Sequence, residues 1–318
     1  MFLKSIVFWA YVATFFGVFG HATSEFFSKL SGIGGPELSV WRYLVGAFAL
    51  LIVALSSKKS RNLLQPIREK PLLVIPLSVF GMAFSQLIFH WSLDFASIVQ
   101  VATIVTMMPI GVMLVDRFLN KTKITTPKVV SGIGAFVGVL LLITDGYIAQ
   151  LKLGSNGIYG VLLALACACT ASFYLVLVRP VISKYGAIRI TALTFILGGI
   201  ALWITVGIAW GIWVNPTTLF DRPAQAYGSI LTLGIWNTCI AMILWLWGLS
   251  AVPDMSRANY LFFLKPVIAA VLAFFIMNSK ITAFQILAIL MVCGCVLAEV
   301  FYEQLSSKIG FLKVKESA

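Results

Sequence analysis

Ten apolar runs of about 20 residues follow one another along the chain, joined by linkers too short to fold on their own. The hydrocarbon core of a bilayer is about 30 Å thick and takes roughly 20 residues of helix to cross. Backbone inside it must satisfy its own hydrogen bonds, so such runs have little choice but to be helices. They lie at 5–28, 37–56, 72–92, 96–115, 126–144, 156–178, 189–212, 226–248, 256–276 and 282–302. Only 11% of the 318 residues are charged, against about 25% in a soluble domain. The expected fold is an all-α integral membrane protein with ten transmembrane helices. The run at 5–28 is too long for the apolar core of a signal peptide and is read as a retained first span.

The ten runs fall into two sets of five. Thirteen residues separate Pro109 from Lys123-Ile124-Thr125, and thirteen separate Pro266 from Lys280-Ile281-Thr282, an offset of 157. Trp91-Ser92-Leu93 is echoed by Trp247-Gly248-Leu249 at an offset of 156. One unit is therefore written twice, over 1–150 and 151–302, before a charged tail at 303–318. An odd number of spans per unit turns the second copy upside down. Inverted repeats of this kind build secondary transporters, with the substrate path between the halves.

The net charge of +12 sits in short linkers, which argues for orientation in a membrane rather than for nucleic acid. With a cytoplasmic N-terminus, 17 Lys and Arg fall on the inner side and 4 on the outer. Both termini are accordingly expected in the cytoplasm, with the protein in the cell (inner) membrane. Arg42 and Lys265 fall within spans. Cys167, Cys169, Cys239, Cys293 and Cys295 all lie in apolar runs, and each C-x-C pair sends its thiols to nearly opposite sides of a helix. They read as packing residues, and no metal or cofactor is expected.

These features resemble the EamA-type ten-helix transporters of the drug/metabolite transporter superfamily, over residues 8–302. Val40-Trp41-Arg42-Tyr43 matches the family's arginine motif on the second helix. Ala96 to Pro109-Ile110, and Ser256-Arg257-Ala258 to Lys265-Pro266-Val267, match its proline-bearing fourth helix in each half. The Gly-Glu that usually ends that helix is absent, with Asp116 in the first copy and Asn278-Ser279 in the second. The resemblance implies export or exchange of a metabolite such as an amino acid, nucleoside or sugar, without naming which.

Polar residues within the spans are the functional candidates, since a buried charge costs about 2.5–3.5 kcal/mol on insertion scales. Lys265 stands out, at mid-span directly before Pro266, where proline frees backbone carbonyls. It is a candidate anchor for a substrate carboxylate. Trp236-Asn237 at the middle of the eighth span offers an aromatic wall and an amide, whereas Trp245 reads as an interfacial tryptophan. His21, Gln86, Gln100 and Thr103 complete the candidate substrate-binding set. Glu25 lies four residues from His21 on one helical face and is placed to pair with Arg42 as an outer gate or to carry a coupling proton. Tyr174, Asn259 and Tyr260 are candidates for an inner gate. Gly134 with Gly138, and Ala164, Ala168 and Ser172, are small-residue stripes for close helix packing, either within a monomer or across a homodimer.

Two histidines and the absence of HExxH and GxSxG argue against an enzyme. A channel or permeability pathway for small solutes, or an uptake carrier for nucleosides or other metabolites, are the competing readings. The favoured one is an exporter or exchanger of a small polar metabolite, its partners being that substrate and the lipid bilayer.

Overall fold

The structure, a computed structural model, describes residues 2–96, 98–144, 157–277 and 282–302. Lys280 and Ile281, the tail from 303 and the side chain of Glu25 lie outside the described set. Among the described residues ten helices are long and apolar enough to cross a bilayer: α1 (Ile6–Leu30), α2 (Gly35–Ser56), α3 (Pro71–Ser92), α4 (Gln100–Asn120), α5 (Thr126–Thr144), α6 (Gly157–Tyr185), α7 (Ala187–Trp210), α8 (Ala224–Ala251), α9 (Met255–Leu272) and α10 (Ala283–Val300). Their outward faces stay apolar. Phe48 (66% exposed), Ile208 (75%) and Phe275 (74%) present surface that lipid satisfies and water would not.

Most boundaries match the expected runs to within a few residues. The largest departure is α6, which continues past 178 through Arg179-Pro180 to Tyr185. The charge and the proline read as a stop. The helix goes on because Val178, Val181, Ile182 and Tyr185 share one face and are all buried, so packing outweighs the local signal.

Several helix pairs recur when the two sets of five helices are exchanged. α1 lies on α8 as α6 lies on α3, and α2 touches α8 as α7 touches α3. α1 meets α9 as α6 meets α4, while α2 packs on α7 and α5 on α10. The irregularities repeat as well. π-helical turns occupy Leu77–Phe84 in α3 and Leu233–Ile240 in α8, an offset of 156 at each end. α4 breaks at Thr106-Met107 before a new helical segment, Met108–Asn120, with Pro109 in its first turn. α9 passes from Met255–Asn259 through a 3₁₀ turn, Tyr260–Phe263, into Leu264–Met277, with Pro266 at the third position. Proline lacks an N–H and its ring crowds the preceding turn, so each helix is reset where the proline stands.

Small residues let the helices close up. Gly17 of α1 lies against the backbone of Trp245 in α8, and Gly138 of α5 against Val292 of α10. Ser172 of α6 meets Gly111 of α4, so both small-residue stripes serve contacts within the bundle. A Cβ at Gly17 would lie 2.6 Å from the Trp245 Cβ and 2.8 Å from its Cα, which forces α1 and α8 apart. Gly17→Ala is expected to lower the apparent melting temperature of the detergent-solubilised protein by roughly 3 °C or more. Gly228→Ala, where a Cβ meets nothing within 4 Å, is the matched control and should not lower it. Thermal melts read by size-exclusion chromatography compare the two.

Candidate functional site

A cavity of about 50 Å³ lies where α1, α2, α3, α4, α6, α8 and α9 meet. At about 30 Å³ per water it holds one or two solvent molecules. Both sets of five helices line it, and some lining residues recur at a fixed offset. Gln86 and Phe89 of α3 have Met242 and Trp245 of α8 at an offset of 156, and Val105 and Met108 of α4 have Phe262 and Lys265 of α9 at 157. All eight line the cavity. Charge enters asymmetrically, since Lys265 stands where the first half has Met108.

Lys265 sits in the first turn of the segment that Pro266 resets. It is 7% exposed, with its Nζ 5.7 Å from the Phe89 ring centre and 5.6 Å from that of Phe262. Aromatic faces are electron-rich and favour a cation at that range. Arg42 of α2 is 2% exposed. Its Nε donates to Thr238 Oγ1 at 2.9 Å and its Nη1 to Gln86 Oε1 at 3.1 Å. These bonds fix the guanidinium plane between α8 and α3. Arg42 therefore belongs to the cavity lining, and the outer gate expected of it with Glu25 involves a carboxylate outside the described side chains. His21 stands edge-on to Trp245 with ring centres 4.9 Å apart, and its Nε2 has no hydrogen-bond partner. Tyr174 lines the α6 wall, rather than sitting among the inner-end residues with which it was grouped. Among the described residues no group of His, Cys, Asp or Glu is arranged to hold a metal ion.

Other candidates stand elsewhere. Asn237 is fully buried, and its Nδ2 donates to Gly20 O and to Thr23 Oγ1, the latter at 2.9 Å. It clamps α8 to α1. Trp236 packs edge-on to Phe19. The π turn shifts the helical register at this point, and Met242 and Trp245 carry the cavity face of α8 instead. Trp245, read as interfacial, is buried in the lining. Gln100 and Thr103 are buried in α4 outside the cavity lining. Phe89, Trp245 and Phe262 were missed by sequence reasoning. The signal that finds them is spacing: Phe89 lies three residues from Gln86, Phe262 three from Lys265, and Trp245 is Phe89 shifted by the repeat.

Asn259 and Tyr260 lie at the end of the bundle that carries the 252–254 turn. There Lys128 of α5 bonds Asp254 at 2.8 Å, and Arg257 reaches Glu299 of α10 at 3.2 Å. The Tyr260 hydroxyl donates to the Lys128 carbonyl at 2.5 Å. Arg179 donates to the Val252 carbonyl at 2.6 Å. At the opposite end Glu37 of α2 pairs with Arg222 before α8, and the Arg222 guanidinium lies 5.1 Å from the Trp41 ring centre. Each end thus carries an ion pair between the two sets of helices.

Partial burial alone would raise the Asp254 carboxyl, but hydrogen bonds from Lys128 and from the Arg257 backbone N–H hold it below its usual 3.8. A depressed carboxyl keeps its charge until the pH falls through the lowered value, so the tie it makes persists from about pH 5 to about pH 8. Hydrogen exchange over residues 252–260, corrected for intrinsic rate, is expected to be flat across that window. Asp254→Asn, which leaves Lys128 without its carboxylate, is expected to speed exchange there at every pH.

Two stretches of the chain, 5–144 and 158–299, match the EamA-like transporter family. An uncharacterized transporter, YyaM, of Bacillus subtilis (strain 168) is 26% identical over 285 residues, covering 89% of this chain and 90% of its own. An uncharacterized transporter of Clostridium kluyveri is 23% identical over 252 residues, covering 79% and 78%. A crystal structure of a protein superposes with a TM-score of 0.75 over 94% of this chain and 97% of the other at 16% identity, a likeness of fold. Ten spans, a cavity between them and the double match over nearly the whole length lead to one conclusion: the chain belongs to the EamA-like transporter family.

Proposed function

We propose that this protein is a secondary carrier that moves a small polar metabolite with an acidic group by alternating access between two inverted five-helix repeats, 1–150 and 151–302. The observation that carries this reading is Lys265, a buried cation beside a proline-broken helix in a cavity that both repeats line. Broken helices at mid-membrane are where transporters of this architecture place their sites. Amino acids are the first substrates to test, and export or exchange is the favoured direction. The Lys and Arg bias supports an orientation with both termini in the cytoplasm of a cell membrane, which makes the Lys128–Asp254 end the inner one. A cavity of water size, with ion pairs across both ends, favours a carrier caught closed over an open channel.

In proteoliposomes a carrier shows saturable counterflow, and a channel does not. Lys265→Ala is expected to reduce counterflow roughly tenfold or more, the scale of one lost charge-assisted hydrogen bond. Unchanged counterflow would give Lys265 a structural role only. Glu25, one residue beyond the lining residue Ser24, is the proposed proton-coupling group. Glu25→Gln should keep counterflow while abolishing the response of net flux to an imposed pH gradient, and a variant that still responds would remove Glu25 from coupling.

A further inference from the structure

We infer that the cavity selects net-negative organic anions over zwitterions, reading them through the Trp245 indole N–H together with Arg42 and Lys265. This rests on the carrier reading above and narrows its substrate class: among amino acids only the acidic ones, which carry a net negative charge, remain.

The argument starts from what each group can do. An indole N–H donates and never accepts. The indole nitrogen of Trp245 is buried and has no hydrogen-bond partner, so it is complete only when an acceptor reaches it. The two cations of the lining are also donors without acceptor capacity. Arg42 donates to Thr238 and Gln86, which set the guanidinium in one plane, the geometry that suits a carboxylate or phosphate. Lys265 comes from the other repeat and lies against phenyl rings. Among the described lining residues none is acidic. With the Glu25 carboxylate counted as well, the cations still exceed it by one. With two cations against one carboxylate, a ligand whose own charges sum to zero gains less overall than a net oxyanion does. Trp245 and Phe262, 5.5 Å apart and inclined by 30°, form an apolar wall for the remainder of the molecule.

The cavity is smaller than any such anion, so binding requires the ends to open first. The test is therefore made on the working carrier in vesicles. Proteoliposomes are preloaded with carboxylate anions (lactate, succinate and phenylpyruvate), with glycerophosphate, or with zwitterions (alanine and phenylalanine). Counterflow of the same labelled compounds is then measured at neutral pH. We expect an anion pool to drive exchange at least roughly tenfold faster than the zwitterions. Trp245→Phe, which keeps the ring and deletes only the N–H, should lower apparent affinity for that anion several-fold, and Arg42→Gln should lower it roughly tenfold or more. The carboxylate and glycerophosphate arms distinguish which oxyanion is carried. Exchange driven by zwitterions as fast as by anions would overturn the inference and leave the carrier intact. Anion exchange with unchanged affinity in Trp245→Phe would remove the indole from recognition. Saturable exchange with none of the pools would overturn the carrier reading and this inference with it.

Discussion

Inside a bilayer the backbone has no water to bond to, and this constraint organises the whole molecule. Most of the chain answers it with uninterrupted helix. The exceptions are therefore informative, because each one leaves backbone groups that something else must satisfy. They occur at Pro109 and Pro266 and at the π turns of α3 and α8. All four sit in the helices that surround the cavity. The regular helices α5, α7 and α10 contribute none of its lining. All four interruptions thus lie in helices that line the cavity, beside the continuous helices α2 and α6.

Four positions of the first set of helices and the four residues 156 or 157 further along the chain lie on the cavity wall. On the inverted-repeat reading proposed above, one local solution serves twice. Chemical identity comes from where the copies diverge. Met108 and Lys265 occupy equivalent places, and the single exchange of thioether for ammonium gives the cavity a charged side. Gln86 and Met242 diverge in the other direction, and Gln86 uses its polarity to hold Arg42. The frame is repeated, and the charge is written once in each half at different places.

The fold was largely legible in the sequence because hydropathy and span length act through the solvent, which is the same for every helix. Ten spans emerged at nearly their observed bounds, and α6 escaped only at an end where a buried face prevailed over Arg179 and Pro180. The cavity was legible in part. Lys265, His21 and Gln86, read as binding candidates, line it, because buried polarity is conspicuous in an apolar span; Arg42 and Tyr174, read as gating residues, line it too. Trp236 and Asn237 were misplaced, because a π turn alters which residues share a face and hydropathy does not report it. Trp245 was hidden by the general preference of tryptophan for interfaces. The ion pairs at the two ends escaped as well. Charges in linkers look solvated until the partner's position is known, and Lys128 and Asp254 lie 126 residues apart.

The small size of the cavity bears on ion gradients. A cavity of about 50 Å³, walled in part by phenyl and indole rings, is far too small to hold a continuous file of water across a hydrocarbon core about 30 Å thick. This shape offers protons and small ions no continuous aqueous thread. On the carrier reading proposed above, a membrane that houses it keeps its stored gradients between turnovers.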